Sequence, residues 1–206
     1  MSERIPQEPK RRSLLTYMTL GAGAFTLGAG IWSLFRTGSS RNITEYSVSL
    51  GLADIPAGEH RKLVTVRGPV FVRHLTQAQL QDVDDYIPTA RDDKLARNAN
   101  LPKDAVATLQ NRTIPSNNAF VVVWGICPRR GCVPIADTGG YDGWFCPCGG
   151  THFDVLGRAR KGPSFQNLSI PFYAVSPKNT LVVFPERVGP SQSEIDELVF
   201  GRQEDT

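Results

Sequence analysis

Four cysteines fall in two short loops, Cys127-Pro128-Arg129-Arg130-Gly131-Cys132 and Cys146-Pro147-Cys148-Gly149-Gly150. Nothing else in the chain restricts its fold as strongly. Each loop follows a run of strand type: 120–124 (Phe-Val-Val-Val-Trp) before the first, Gly143-Trp144-Phe145 before the second. Each contains the Gly and Pro that tight turns use, so two hairpin loops converging on one site are expected. With 15 Pro and 19 Gly in 206 residues, the rest of the chain also favours many turns and a β-rich body over a helical bundle. The 40% hydrophobic and 21% charged fractions exclude a disordered chain and a polytopic membrane protein. A net charge of +3 is too small to argue for nucleic acid. Three histidines beside four cysteines make a small set of metal ligands.

The N-terminus reads as a targeting and anchoring segment. Lys10-Arg11-Arg12 precedes an uncharged stretch from Ser13 to Phe35, about 23 residues and long enough to cross a bilayer as a helix. Arg11-Arg12-Ser13-Leu14-Leu15 resembles a twin-arginine export signal, and the moderate hydrophobicity fits that route. No small-x-small cleavage site precedes the body, so the segment is expected to stay as an anchor. The expected organisation is a cytoplasmic N-terminus over 1–12, one transmembrane helix over 13–36, a polar linker over 37–45, a globular domain over 46–186 and a polar tail over 187–206. Within the domain, strands are expected at 46–50, 63–66, 69–72 and 120–124, and a hairpin from 172–175 and 180–184 around Ser176-Pro177-Lys178-Asn179. Pro56-Ala57-Gly58 reads as a turn. A helical insertion begins near Thr76, a candidate N-cap. A small helix is expected at 195–200.

The cysteine loops and their flanks resemble the Rieske iron–sulfur domain. That family has Cys-x-His-x-Gly-Cys in the first loop and Cys-Pro-Cys-His-Gly-Ser in the second. The agreement extends to Val133-Pro134-Ile135, to Gly157-Arg158-Ala159-Arg160-Lys161-Gly162-Pro163 and to Leu168-Ser169-Ile170-Pro171. The insertion, with Arg97-Asn98-Ala99-Asn100 and Gln110-Asn111-Arg112-Thr113, is similar to the branch found in the cytochrome bc complex, ubiquinol–cytochrome c reductase, of alphaproteobacterial or mitochondrial type. The resemblance runs from Arg11 to Pro185. It implies a mainly β fold: a Rieske-like antiparallel body with a small helical insertion, one N-terminal transmembrane helix and a cluster-loop subdomain at about 124–170. It also implies a bacterial inner-membrane location, with a single span and the globular domain on the periplasmic side. The implied partners are the cytochrome b and cytochrome c subunits of a bc complex.

A Rieske centre is a [2Fe–2S] cluster with two Cys thiolates on one iron and two His imidazoles on the other. By resemblance, Cys127 and Cys146 hold the thiolate positions, and Cys132 and Cys148 hold those of the family's disulfide. Such a bridge closes 16 positions, about 3 kcal/mol in the chain-entropy model. The two imidazole positions fall on Arg129 and Gly149. A guanidinium has no lone pair to give and glycine has no side chain. His152 lies three positions beyond Gly149 and matches no ligand position; His60 and His74 lie far away in sequence. Around the ligands, Thr151 keeps a hydroxyl where the family has one, Phe153 stands where it commonly has Tyr, and Gly162-Pro163-Ser164-Phe165 stands for a Gly-Pro-Ala-Pro segment. Arg130 replaces an apolar residue at the loop tip.

Three functions follow. The first is a Rieske-like subunit of a quinol–cytochrome c reductase that binds no normal cluster and is structural, regulatory or assembly-related. The second is an electron-transfer subunit with [2Fe–2S], oxidising ubiquinol and reducing cytochrome c. The third is an independent periplasmic redox or binding module. The family is an oxidoreductase subunit, but no residue here is assigned as catalytic. For the sulfurs, the expected arrangement is one disulfide with Cys127 and Cys146 close enough for a second. The alternative is a four-thiolate site for Zn or an all-cysteine cluster, for which the Cys-x-x-x-x-Cys and Cys-x-Cys spacings are poor.

Overall fold

Ten short strands form three antiparallel sheets in the computed structural model, which describes residues 47–84, 92–185, 191, 193, 195 and 196. The expected signal, anchor and linker lie outside the described residues, as does most of the tail. Among the described residues no helix is long and apolar enough to cross a membrane.

The first sheet has the order β1-β10-β9, with β1 at Val48–Gly51, β9 at Phe172–Val175 and β10 at Thr180–Phe184. The expected hairpin is present. Its turn places Asn179 in the left-handed region at φ 61°, which Asn tolerates better than most residues. The second sheet has the order β2-β3-β4, with β2 at His60–Thr65, β3 at Gly68–His74 and β4 at Phe120–Trp124. β2 begins three residues earlier than the apolar run indicates. His60-Arg61-Lys62 looks like a loop because it is charged, but β2 is an edge strand, where outward charges are normal. The third sheet has the order β5-β6-β7-β8, with β5 at Ile135–Ala136, β6 at Asp142–Cys146, β7 at Thr151–Asp154 and β8 at Ala159–Lys161.

Two apolar cores lie within this body. One packs Val70, Val72, Phe120, Val122, Leu181 and Val183 between the first two sheets. The other packs Phe71, Val121 and Val123 against Trp144, Phe153 and Leu156 of the third sheet and its loops. Strands β3 and β4 therefore bury both faces, alternate residues serving alternate cores, and this is why 120–124 is continuously apolar.

The insertion opens with helix α1 at Gln77–Asp84. Thr76 caps it: its Oγ1 accepts from the Gln79 N–H at 3.2 Å, while the Gln79 side chain accepts from the Thr76 N–H at 3.0 Å. This is a reciprocal capping box. Beyond it, 92–118 carries little regular structure apart from helix α2 at Leu109–Arg112. Polar side chains hold this irregular stretch in place. Arg112 is fully buried and donates to three carbonyls: Leu156 at 2.8 Å, Leu168 at 2.8 Å, and Ala96. Burial brings its pKa down to about 10, with Asp154 opposing the shift. Asn167 donates to the Asp93 and Leu95 carbonyls, both at 2.9 Å. Near the C-terminus, the Ile195 N–H donates to the Ser191 carbonyl at 3.0 Å, a bond of helical spacing.

The cysteine loop site

Each cysteine loop folds back on the carbonyl of its first cysteine. Strand β4 delivers Cys127, whose carbonyl accepts from the Gly131 N–H at 2.8 Å while its own N–H donates to the Cys132 carbonyl at 2.8 Å. Strand β6 ends at Cys146, whose carbonyl accepts from Gly149 and Gly150 at 3.3 and 2.8 Å, and β7 returns at Thr151. Gly131 and Gly150 close these turns at φ 71° and 65°, where a side chain would be strained.

A disulfide joins Cys132 to Cys148, with their Cα atoms 6.4 Å apart, so the two loops are covalently tied as the resemblance implies. Cys127 and Cys146 are free thiols, both buried, rather than a second disulfide. They pack against Trp144, Phe153 and Leu168. Burial pushes the Cys146 thiol up, and its hydrogen bond and proximity to Cys127 act in the same direction. Backbone N–H groups of Cys148 and Gly149 pull the other way and are outweighed. With Cys132 and Cys148 bonded to each other, two sulfurs and not four remain, which does not fit a four-thiolate site for Zn or an all-cysteine cluster.

A third segment covers the loops. The exposed Arg129 donates from Nη1 to the Pro163 carbonyl at 2.6 Å. The buried Thr151 hydroxyl accepts from the Ser164 N–H at 3.2 Å. Gly162, at φ 107°, brings its backbone so close that a Cβ there would stand 2.4 Å from the Gly150 carbonyl oxygen. Gly149 is different: its φ is not positive, and a Cβ would meet only Pro163 Cγ at 3.8 Å and Arg130 Cγ at 3.9 Å, ordinary contact. Phe153 is buried in the core beside the two thiols and presents no hydroxyl.

Each histidine is engaged by other groups. His152 Nδ1 accepts from the Gly140 N–H at 3.1 Å, and its ring packs on Phe145 with centroids 4.9 Å apart. His60 Nδ1 lies 3.0 Å from Asp137. His74 Nδ1 lies 2.7 Å from the Ile55 carbonyl and its ring stacks on Phe120. Among the described residues, no group of three or more His, Cys, Asp or Glu could hold a metal ion. The loops thus offer two sulfurs, a guanidinium committed to a carbonyl, and a glycine. This donor set does not fit a centre whose second iron needs two imidazoles.

Two features near the site were not anticipated from sequence. One is the buried Arg112 clamp. The other is Arg73 of β3, buried with its Nη2 2.5 Å from Asp137 and its guanidinium 5.6 Å over the Trp144 ring. Nε and Nη1 of Arg73 have no hydrogen-bond partner, so the ring face and Asp137 compensate the charge. A charged residue inside Val70-Phe71-Val72-Arg73 was the signal available for the second.

No family model matches the chain. The ubiquinol–cytochrome c reductase iron–sulfur subunit of Cereibacter sphaeroides is 38% identical over 164 residues, covering 78% of this chain and 88% of the relative. That of Rhodobacter capsulatus is 36% identical over 180 residues, covering 83% and 93%. The mitochondrial cytochrome b-c1 complex subunit Rieske of Neurospora crassa is 32% identical over 186 residues, covering 85% and 72%. Similarity of this extent means that the chain belongs to the Rieske iron–sulfur subunit family of ubiquinol–cytochrome c reductases.

Proposed function

We propose that this chain is a Rieske-type subunit of a respiratory quinol–cytochrome c reductase that does not assemble the family's [2Fe–2S] cluster. Its role is structural, regulatory or assembly-related. One observation carries the reading: Arg129, whose guanidinium donates to the Pro163 carbonyl, and Gly149, which has no side chain, stand where the resemblance would put the family's imidazoles. Phe153 supports it, since a phenyl ring cannot donate the hydrogen bond that a family hydroxyl gives. Retention of all four cysteines and of the Arg112 clamp supports a preserved scaffold rather than general decay. The partners in this reading are the cytochrome b and cytochrome c subunits of a bc complex. The location is the bacterial inner membrane, with an anchor over 13–36, a linker over 37–45 and the body on the periplasmic side.

Purification of the full chain from membranes, with iron analysis and electron paramagnetic resonance after reduction, tests both halves of the proposal. The expected result is far less than two irons per chain, no Rieske-type signal, and co-purification with a cytochrome b protein. A Rieske-type spectrum would overturn the cluster-less reading. Failure to co-purify with any cytochrome b would overturn the complex-subunit reading.

A further inference from the structure

The β2–β3 hairpin carries an apolar, cationic surface that nothing among the described residues covers. Val64 and Val66 stand 75% and 70% exposed there, more than any other large apolar side chain described. β2 is the outer strand of its sheet, so one edge of its backbone is unpaired. Arg61, Lys62 and Arg67 flank the valines, and 60–67 contains no Asp or Glu. Arg61 pairs with Glu59, but among the described residues no carboxylate reaches Lys62 or Arg67. Beside the hairpin turn lies a cleft of about 270 Å³ lined by Arg67, Trp124, Ile126, Pro128 and Ser169. The turn abuts it, since a Cβ on Gly68 would stand 2.8 Å from Ile126 Cδ1. Trp124, Ile126 and Pro128 are half-buried, and the Arg67 guanidinium lies 5.8 Å over the Trp124 ring.

The chain leaves the body at this rim. Strand β10 ends at Phe184, and Arg67 Nη1 donates to the next carbonyl, that of Pro185, at 3.1 Å. The tail that follows has a complementary composition. Its apolar patch is Ile195, Leu198, Val199 and Phe200, and at helical spacing the first three share a face. Around the patch, 191–206 carries Glu194, Asp196, Glu197, Glu204 and Asp205 against Arg202 alone. Extended chain from Pro185 to Ile195 reaches about 35 Å. So short a tether holds the patch at about millimolar effective concentration beside the hairpin. We propose that the C-terminal tail folds back on the β2–β3 hairpin, seating its apolar patch on Val64, Val66 and the Trp124 cleft with its carboxylates on Lys62 and Arg67. Covering a free strand edge with a chain segment also guards it against pairing with another molecule. A second copy of the same surface fits poorly, because both faces would be cationic. The inference does not rest on the cluster-less reading, in which this hairpin plays no part.

A Val66→Cys variant of the full chain in detergent tests it, since the chain's own cysteines are buried or bridged. The alkylation rate of the thiol introduced at position 66 is compared with that in the same variant ended after residue 190. The full chain should react at least about tenfold more slowly, because the rate follows the fraction of time the tail is lifted. That protection should not change with protein concentration. Leu198→Asp in the full chain should restore the fast rate without touching the body. In parallel, carbodiimide should join the Lys62 amine to Glu194, Asp196 or Glu197 of the same polypeptide. Equal rates in the two chains, or no effect of Leu198→Asp, would overturn the proposal. So would protection that rises with protein concentration, which would assign the surface to a second copy. Protection that arises only on adding phosphatidylglycerol vesicles would overturn it too, in favour of a bilayer. None of these measurements reads iron or cytochrome b, so a failure here leaves the proposed function standing.

Discussion

Two glycines of the loop site carry opposite constraints. Gly162 sits at φ 107° with the Gly150 carbonyl oxygen where its Cβ would be, and that oxygen belongs to backbone that cannot step aside cheaply. Gly162→Ala should therefore destabilise the body by about 2–4 kcal/mol, combining backbone strain with a forced shift. Gly149→Ala should change stability by no more than about 0.5 kcal/mol, because its Cβ meets only the Pro163 and Arg130 side chains at ordinary contact distance. Urea denaturation of the two variants checks both values. Nothing in the turn itself demands glycine at position 149. The sequence marks both positions as Gly and cannot separate them, because the difference lies in which atoms approach from another loop. The site's chemistry was more legible. Cys127, Cys132, Cys146 and Cys148 were identifiable from spacing and resemblance, and the structure brings all four to one place. The Arg129–Pro163 bond was not, since it links positions 34 apart through a carbonyl that any residue could supply.

At the scale of elements, local signals predict well where the chain satisfies its own hydrogen bonds. Helix α1 begins at the expected Thr76 because the cap and its Gln79 partner lie three residues apart. Thr76→Ala should lower stability by about 1 kcal/mol and weaken protection of the Gln79 amide in hydrogen exchange. Unchanged exchange at Gln79 would contradict the assigned cap. The 172–184 hairpin was equally legible, since two runs rich in β-branched and aromatic residues flank a Pro-containing turn. The stretch 92–118 was not. Its order comes from side chains reaching distant carbonyls, Asn98 to Asn111, Asn100 to Pro171 and Arg112 to Leu156 and Leu168, and such bonds leave no periodic trace.

For the molecule as a whole, these same polar ties bind the insertion to the loop half, and one of them is sensitive to acid. Burial alone would raise the Asp93 carboxyl, but Arg97 and the backbone N–H groups of Asn167 and Leu95 together hold it below its ordinary value. A carboxyl lowered by folding adds stability above its unfolded pKa of about 3.9 and loses it as pH falls through the folded value. Thermal melts should therefore show the wild-type Tm dropping below about pH 4, and Asp93→Asn should flatten that acid limb while lowering Tm at neutral pH. An acid limb of equal steepness in both proteins would remove Asp93 from this role. The two thiols sealed between the loops have a different consequence. Cys127 and Cys146 are 1% and 0% exposed, while the other two cysteines are locked in their bridge. An alkylating reagent added to the native, metal-free protein can reach them only when the loop half opens. Their modification rate is thus a built-in clock for that opening. Read across denaturant, it should yield the free energy with which the body stays shut, with no introduced probe.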